Sequence, residues 1–357
     1  MTRAIIPAAV LLSLAFVSPA VAHEPLEERV EQLMRGQQDA DHARDVLAKK
    51  IDDLLWLERV GDVAVVDKIR IYGPPRWNEE NPDAIGAGNH FKFYSYVFTP
   101  RGFDDAGRLP LLVLPHGGVH ADFTTYYAHI VRELTAQGYI VVAPEYRGST
   151  GYGRAYYEDI DYGGREVEDC LAARDWAVEN HPRVDDQRVG ILGWSHGGLI
   201  TLMSLFDHPD AYRVGFAGVP VSNLVMRMGY WGPAYQAYYD ADHHIGQTPA
   251  ENLEEYKRRS PVYNVDKLTR PLRIHTNPRD EDVNVIEVEH LIQALTAAEK
   301  DFEYQIYEVP GGHSFDRLDT PEAWAARREI YGFLARYLKP PRPDISLGVG
   351  PEGRAAP

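Results

Sequence analysis

The run Val189-Gly190-Ile191-Leu192-Gly193-Trp194-Ser195-His196-Gly197-Gly198, continued by Leu199 to Phe206, decides how this chain is read. Val189–Leu192 is short and apolar, as expected of a strand buried on both faces. Leu199–Phe206 reads as a buried helix. Of the six residues joining them, Gly193 to Gly197 form G-x-S-x-G, and a sharp turn from strand to helix forces Ser195 into a strained backbone conformation. Glycines on either side of Ser195 let strand and helix approach closely. The helix N-terminus then stabilises negative charge beside the hydroxyl. Ser195 is the candidate nucleophile.

Working outward, strands and helices alternate. Val63–Ile71 and Phe91–Thr99 alternate as strands across a Pro/Gly/Asn-rich loop. Leu111–Leu114 and Ile140–Ala143 are buried strands flanking a helix at Thr124–Gln137, which Gly138 ends. A helix at Glu166–Glu179 precedes the decisive strand. Strands at Val214–Val219, Leu272–His275 and Tyr304–Val309 follow, with helices at Val285–Ala298 and Glu322–Tyr337. Such alternation implies parallel βαβ units, hence an α/β protein with a mostly parallel central sheet flanked by helices. Before the first strand, Leu26, Val30 and Leu33 share one helical face, and Val46, Leu47, Ile51, Leu54 and Leu55 another. Two amphipathic helices joined near Gly36 to Ala40 are expected as an N-terminal helical extension over residues 23–60. The main domain then spans 61–339. The Pro/Gly-rich tail, 340–357, is expected to be disordered.

A serine hydroxyl needs a base to take its proton and an acid to orient that base. With a G-x-S-x-G elbow the chain order is serine, acid, histidine, the order of the α/β-hydrolase fold. The strand Leu272–His275 leads into a loop with three acids, Asp280, Glu281 and Asp282. The strand Tyr304–Val309 leads into Pro310-Gly311-Gly312-His313, so His313 is the candidate base. His290 lies among Glu287, Glu289 and Leu291 on a helix and reads as a surface residue. The oxyanion hole calls for two backbone amides, and His196 and Gly118, in the loop Pro115 to Val119, are the candidates. The His116 side chain reads as a support for that loop.

The pieces His116-Gly117-Gly118, Tyr146 to Gly153, Gly193 to Gly198, Ile245 to Pro249 with Ser260-Pro261, Asp280 to Val283 and Gly312-His313-Ser314 occur together over residues 63 to 338. In this order they resemble the catalytic domain of the prolyl oligopeptidase (S9) serine peptidases, nearest the acylaminoacyl-peptidase and dipeptidyl-peptidase branches. The resemblance implies Asp280 as the acid, through the D-x-x-V pattern. It implies a specificity pocket built from His196, Val221, Leu224 and Val283. Three departures stand out. Val119 replaces the proline of H-G-G-P. The segment His275 to Arg279 is one residue longer than usual and lacks its glycine. The stretch before the first strand is too short for the family's β-propeller.

Met226–His244 carries Tyr230, Trp231, Tyr235, Tyr238 and Tyr239, either an aromatic wall for an apolar or aryl substrate, with Trp231 in contact, or ordinary packing. His243 and His244 beside Asp240 and Asp242 show no metal-ligand spacing, so neither metal nor cofactor is expected. Arg3, the apolar run Ile5–Phe16 and Ala20-Val21-Ala22 read as a secretory signal over residues 1–22, cleaved before His23. The run is about half the roughly 20 residues that span a bilayer, so no membrane span is expected. Secreted or periplasmic location follows as an expectation. Cys170 is the single cysteine, which rules out an intramolecular disulfide. A net charge of −16 argues against nucleic acid or anionic membranes as partners. The expected partner is a small peptide or ester substrate, and a homo-oligomer is possible. Hydrolysis of short peptides, carboxylic-ester hydrolysis and a silent binding protein are the functions to separate.

Overall fold

The computed structural model describes residues 25–343, apart from 77–80, 82, 84, 86 and 242. The proposed signal and the tail beyond 343 lie outside these residues. Eight strands run in the order β1 (Ala64–Pro75), β2 (His90–Pro100), β3 (Leu109–Val113), β4 (Ile140–Glu145), β5 (Val184–Trp194), β6 (Val214–Gly218), β7 (Leu272–Thr276) and β8 (Phe302–Ile306). The helices are α1 (Leu26–Val60), α2 (Ala128–Gln137), α3 (Arg154–Tyr157), α4 (Arg165–Asn180) and α5 (His196–Asp207). They continue as α6 (Leu224–Tyr230), α7 (Pro233–Asp240), α8 (Leu253–Arg258), α9 (Val285–Ala297) and α10 (Pro321–Leu338).

The sheet order is β1-β2-β4-β3-β5-β6-β7-β8. β1 and β2 pair antiparallel, as do β2 and β4, and every later pair is parallel. Alternation along the central strands sorts their side chains to two faces. Leu111, Val113, Val142 and Ile191 pack with Val167, Leu199 and Leu291 of α4, α5 and α9. Leu112, Leu114, Val141 and Leu192 pack with Val131 and Leu134 of α2 and with Ile330 and Leu334 of α10. This is the α/β-hydrolase architecture the alternation implies. It carries the C-terminal ends of the parallel strands β5, β7 and β8 to one edge of the sheet, with β6 between β5 and β7.

Three expectations change. The N-terminal segment is one helix, Leu26–Val60, not two. One glycine costs a helix only about 1 kcal/mol, and no proline interrupts it. Around Gly36, Arg35 pairs with Glu31, and Gln37 donates to Asp41. The face chosen by periodicity is also wrong in part, because Leu47, Ile51 and Leu54 are exposed while Lys49, Trp56 and Val60 are buried. The tail is ordered through Pro343. The Arg342 amide donates to the Gln137 carbonyl at 3.1 Å, and its guanidinium lies 4.4 Å from the Phe103 ring.

The second half of α1 is fastened by a buried charge cluster. Lys49 pairs with Glu145 and with Asp122 at 3.0 Å, and donates to the Phe123 carbonyl at 2.7 Å. Trp56 stacks on Phe123 nearby. Burial raises the Glu145 carboxyl pKa despite Lys49. Removing one partner of a buried pair costs about 3–5 kcal/mol, so Lys49→Met lowers unfolding free energy by that order in urea titrations. A carboxyl whose folded pKa is raised is comfortable when protonated, and stability falls as pH rises through that pKa. The Lys49→Met deficit therefore grows from pH 5 to pH 8. A deficit independent of pH would show that the Lys49–Glu145 charge pair is not its source.

Candidate active site

Ser195 follows β5 directly and begins α5 with φ 60° and ψ −121°. Its amide donates to the Gly218 carbonyl of β6 at 2.9 Å, which fixes the strained turn to the neighbouring strand. A side chain at Gly193 would meet the Gly197 carbonyl, and one at Gly197 would meet the Pro115 carbonyl, at 2.3 and 2.4 Å. Glycine is required at both places for the elbow to fold.

Asp280 lies on the loop after β7, and His313 on the loop after β8. Asp280 Oδ2 accepts from His313 Nδ1 at 2.8 Å. Asp280 Oδ1 accepts from the amides of Asp282 and Val283 at 2.9 and 2.8 Å. The carboxylate is buried, so these donors replace its water. The longer acid loop is absorbed by Asn277. Its side-chain oxygen accepts from the Arg279 amide, and its Nδ2 donates to Val309, just before the histidine loop. Arg317 donates to the His313 carbonyl. Asp282 is exposed and touches the cavity rather than His313. Ser195 and His313 line the same cavity. No hydrogen bond joins them here, as is frequent for catalytic pairs that tighten only on substrate.

Gly118 and His196 also line this cavity. The Gly117 amide is taken by the Tyr127 hydroxyl at 3.1 Å. Gly118 sits at φ 73°. Its loop is held by His116, which is buried, stacks on Tyr146 with ring centroids 4.1 Å apart, and bonds Ser149 Oγ at 2.9 Å. Burial pushes the His116 pKa down to about 3, so the ring is neutral. The buried His196 side chain places Nε2 3.3 Å from Glu166 Oε1.

The cavity measures about 1020 Å³. Val221 and Trp231 line it, together with Tyr162, Tyr235, Tyr238 and Tyr239. Leu224 and Val283 do not. Both are wholly buried in the core behind the wall. Leu224 begins α6, its amide donates to Ser260 Oγ, and its side chain packs in the core. The wall at that level is Arg227, one turn on. Its guanidinium donates to Tyr235 Oη at 2.7 Å and Tyr230 Oη at 2.8 Å, and reaches Glu287 at 3.5 Å. Glu287 is fully buried and also accepts from the amides of Ser222 and Asn223. His290 is half-buried rather than a surface residue, and bonds Asn223 Nδ2 at 2.9 Å. Tyr127, Tyr162, Arg227 and Arg317 escaped the motif reading because they enter the cavity from four separate segments. A lone arginine among the tyrosines of Met226–Tyr239 was the one signal available.

The arrangement can perform acyl transfer: a nucleophile at an elbow, an imidazole held by a buried carboxylate, and two amides for the oxyanion, one at the α5 N-terminus and one in the Gly118 loop. A family model described as the prolyl oligopeptidase family matches residues 125–341. Dipeptidyl aminopeptidase BIII of Pseudoxanthomonas mexicana is 29% identical over 298 residues, covering 78% of this chain and 42% of that protein. The acylamino-acid-releasing enzyme of Arabidopsis thaliana is 28% identical over 232 residues, covering 63% and 30%. The Pyrococcus horikoshii acylaminoacyl peptidase structure superposes with a TM-score of 0.65 at 19% identity, covering 78% and 42%. The chain thus spans less than half the length of these relatives.

Proposed function

The chain belongs to the prolyl oligopeptidase family, and from that premise we propose that it is a serine peptidase cleaving short peptides through an acyl-enzyme. The observation that carries this reading is the buried Asp280–His313 pair opening onto the cavity that holds Ser195. Ser195 attacks the carbonyl carbon while His313 takes its proton. Asp280 orients the imidazole and stabilises the imidazolium. The amides of Gly118 and His196 receive the oxyanion. His313 then protonates the leaving amine, and water attacks the acyl-enzyme with His313 again as base. The relatives named dipeptidyl aminopeptidase and acylamino-acid-releasing enzyme support a peptide substrate.

A carboxylic-ester substrate is the second reading, favoured by the aromatic wall from Tyr162 to Tyr239. Matched aminoacyl p-nitroanilides and p-nitrophenyl esters separate the two. The peptidase reading expects kcat/KM on the anilide of about 10⁴ M⁻¹s⁻¹ or more. Ester turnover with no measurable anilide cleavage would establish the esterase instead. The signal-like residues 1–22 support export of this enzyme. Amino-terminal sequencing of the protein from its native host is expected to begin at His23, and a retained Met1 would reject export by this route.

A further inference from the structure

Three histidines from two distant segments meet beside the cavity. His120 follows the oxyanion loop, and His243 and His244 follow α7. One ligand nitrogen from each lies within 4.8 Å of the others. The ring centroids are 4.9 Å apart for His120 and His244, 4.8 Å for His243 and His244, and 6.3 Å for His120 and His243. His120 Nδ1 is 2.7 Å from the Gly148 carbonyl. A carbonyl only accepts, so this nitrogen carries the proton and Nε2 presents a lone pair. That lone pair lies 3.0 Å from His244 Nε2, whose N–H can donate to it; with that proton on His244 Nδ1 instead, both Nε2 lone pairs are open to one ion. At a zinc–nitrogen distance of about 2.0–2.1 Å, two ligands of a tetrahedral ion sit roughly 3.3 Å apart.

The tyrosines around the cluster fix its rings. His120 stacks on Tyr157 at 3.4 Å, and His244 packs on Tyr238 at 4.3 Å. His244 is fully buried, and its Nδ1 has no hydrogen-bond partner among the described residues. An N–H···N bond accounts for the close pair, but it leaves the buried His244 Nδ1 without such a partner, and a third imidazole, His243, reaches the same point. Metal-binding histidines characteristically donate the other ring N–H to a carbonyl, the contact His120 makes with Gly148.

We propose that His120, His243 and His244 form a transition-metal site at the cavity wall, suited to Zn²⁺. Three neutral imidazoles favour zinc over magnesium or calcium, and three protein ligands leave a fourth position for water or another small ligand. His120 lines the cavity, two residues beyond Gly118. An ion here therefore sits near the oxyanion loop without belonging to the triad.

Isothermal titration of chelator-treated protein with ZnCl₂ tests the site, with Co²⁺ as the spectroscopic probe. Wild type is expected to bind one zinc and to develop the visible bands of tetrahedral cobalt. His120→Gln and His243→Gln should each weaken zinc at least tenfold, and His313→Gln should leave it unchanged. His243 is half-buried, so its replacement keeps the test decisive even where the buried His244→Gln variant fails to fold. Absence of saturable binding would overturn the proposal. So would binding that survives both His120→Gln and His243→Gln, or that disappears in His313→Gln, which would assign the ion to the triad.

Discussion

Ser195→Ala lowers kcat by on the order of 10⁶ and leaves the protein folded. The loss is large because no neighbouring hydroxyl can replace Oγ as the atom that bonds to the acyl carbon. What survives comes from the oxyanion amides and substrate binding, worth about 10³–10⁴ over water in related triads. The fold is spared because the turn is held by the backbone. The Ser195 amide bonds Gly218, and its carbonyl accepts from Leu199 and Val221. Alanine keeps all three contacts. A fluorophosphonate labels the wild type and not the variant, while the two melt within a few degrees of each other. A variant that still takes the label would remove Ser195 from the role.

The elbow was legible because its constraints are local. Buried strand, tight turn and buried helix each leave a pattern within about ten residues, and β5 and α5 extend from that pattern at both ends. The central strands were legible for the same reason, since burial on both faces leaves no polar alternation in Leu111–Val113 or Ile140–Ala143. Helix α1 was not. Its apolar residues recur at helical spacing, yet Leu47, Ile51 and Leu54 face solvent. The buried face is organised around a lysine. Hydrophobic periodicity cannot signal Lys49, because its burial depends on Glu145 and Asp122 from other parts of the chain.

The cavity wall divides along the same line. Trp231 and its neighbouring tyrosines formed a visible cluster in the sequence. Leu224 and Val283 followed the family pattern but stand behind the wall, because Arg227 occupies the surface one turn later. Arg227 is stabilised there by Glu287, 60 residues away. His120 and His244 are 124 residues apart and meet only when the oxyanion loop and the segment after α7 converge. Adjacency of His243 and His244 is visible in the sequence, but the third ring supplies the ligand geometry.

Asp280→Asn is expected to lower kcat by about 10⁴, as loss of the orienting carboxylate does in a triad. Asp280 has two different tasks. Oδ1 accepts from the amides of Asp282 and Val283, and Oδ2 accepts from His313. Asparagine has one acceptor oxygen. Two backbone N–H groups hold that oxygen, which turns the amide NH₂ towards His313 Nδ1. Nδ1 must then accept, so the proton moves to Nε2 and the imidazole can no longer take one from Ser195. Substrate binding survives, so KM changes little while kcat collapses. Asp282→Asn is the control. Asp282 is exposed at the cavity and bonds the acid loop through its main-chain amide, which asparagine retains. Its kcat should stay within about tenfold of wild type, far above Asp280→Asn. Steady-state kinetics on one anilide substrate decides between them. A larger loss at Asp282 than at Asp280 would mean that the extra residue in this loop lets the other carboxylate reach His313 during catalysis.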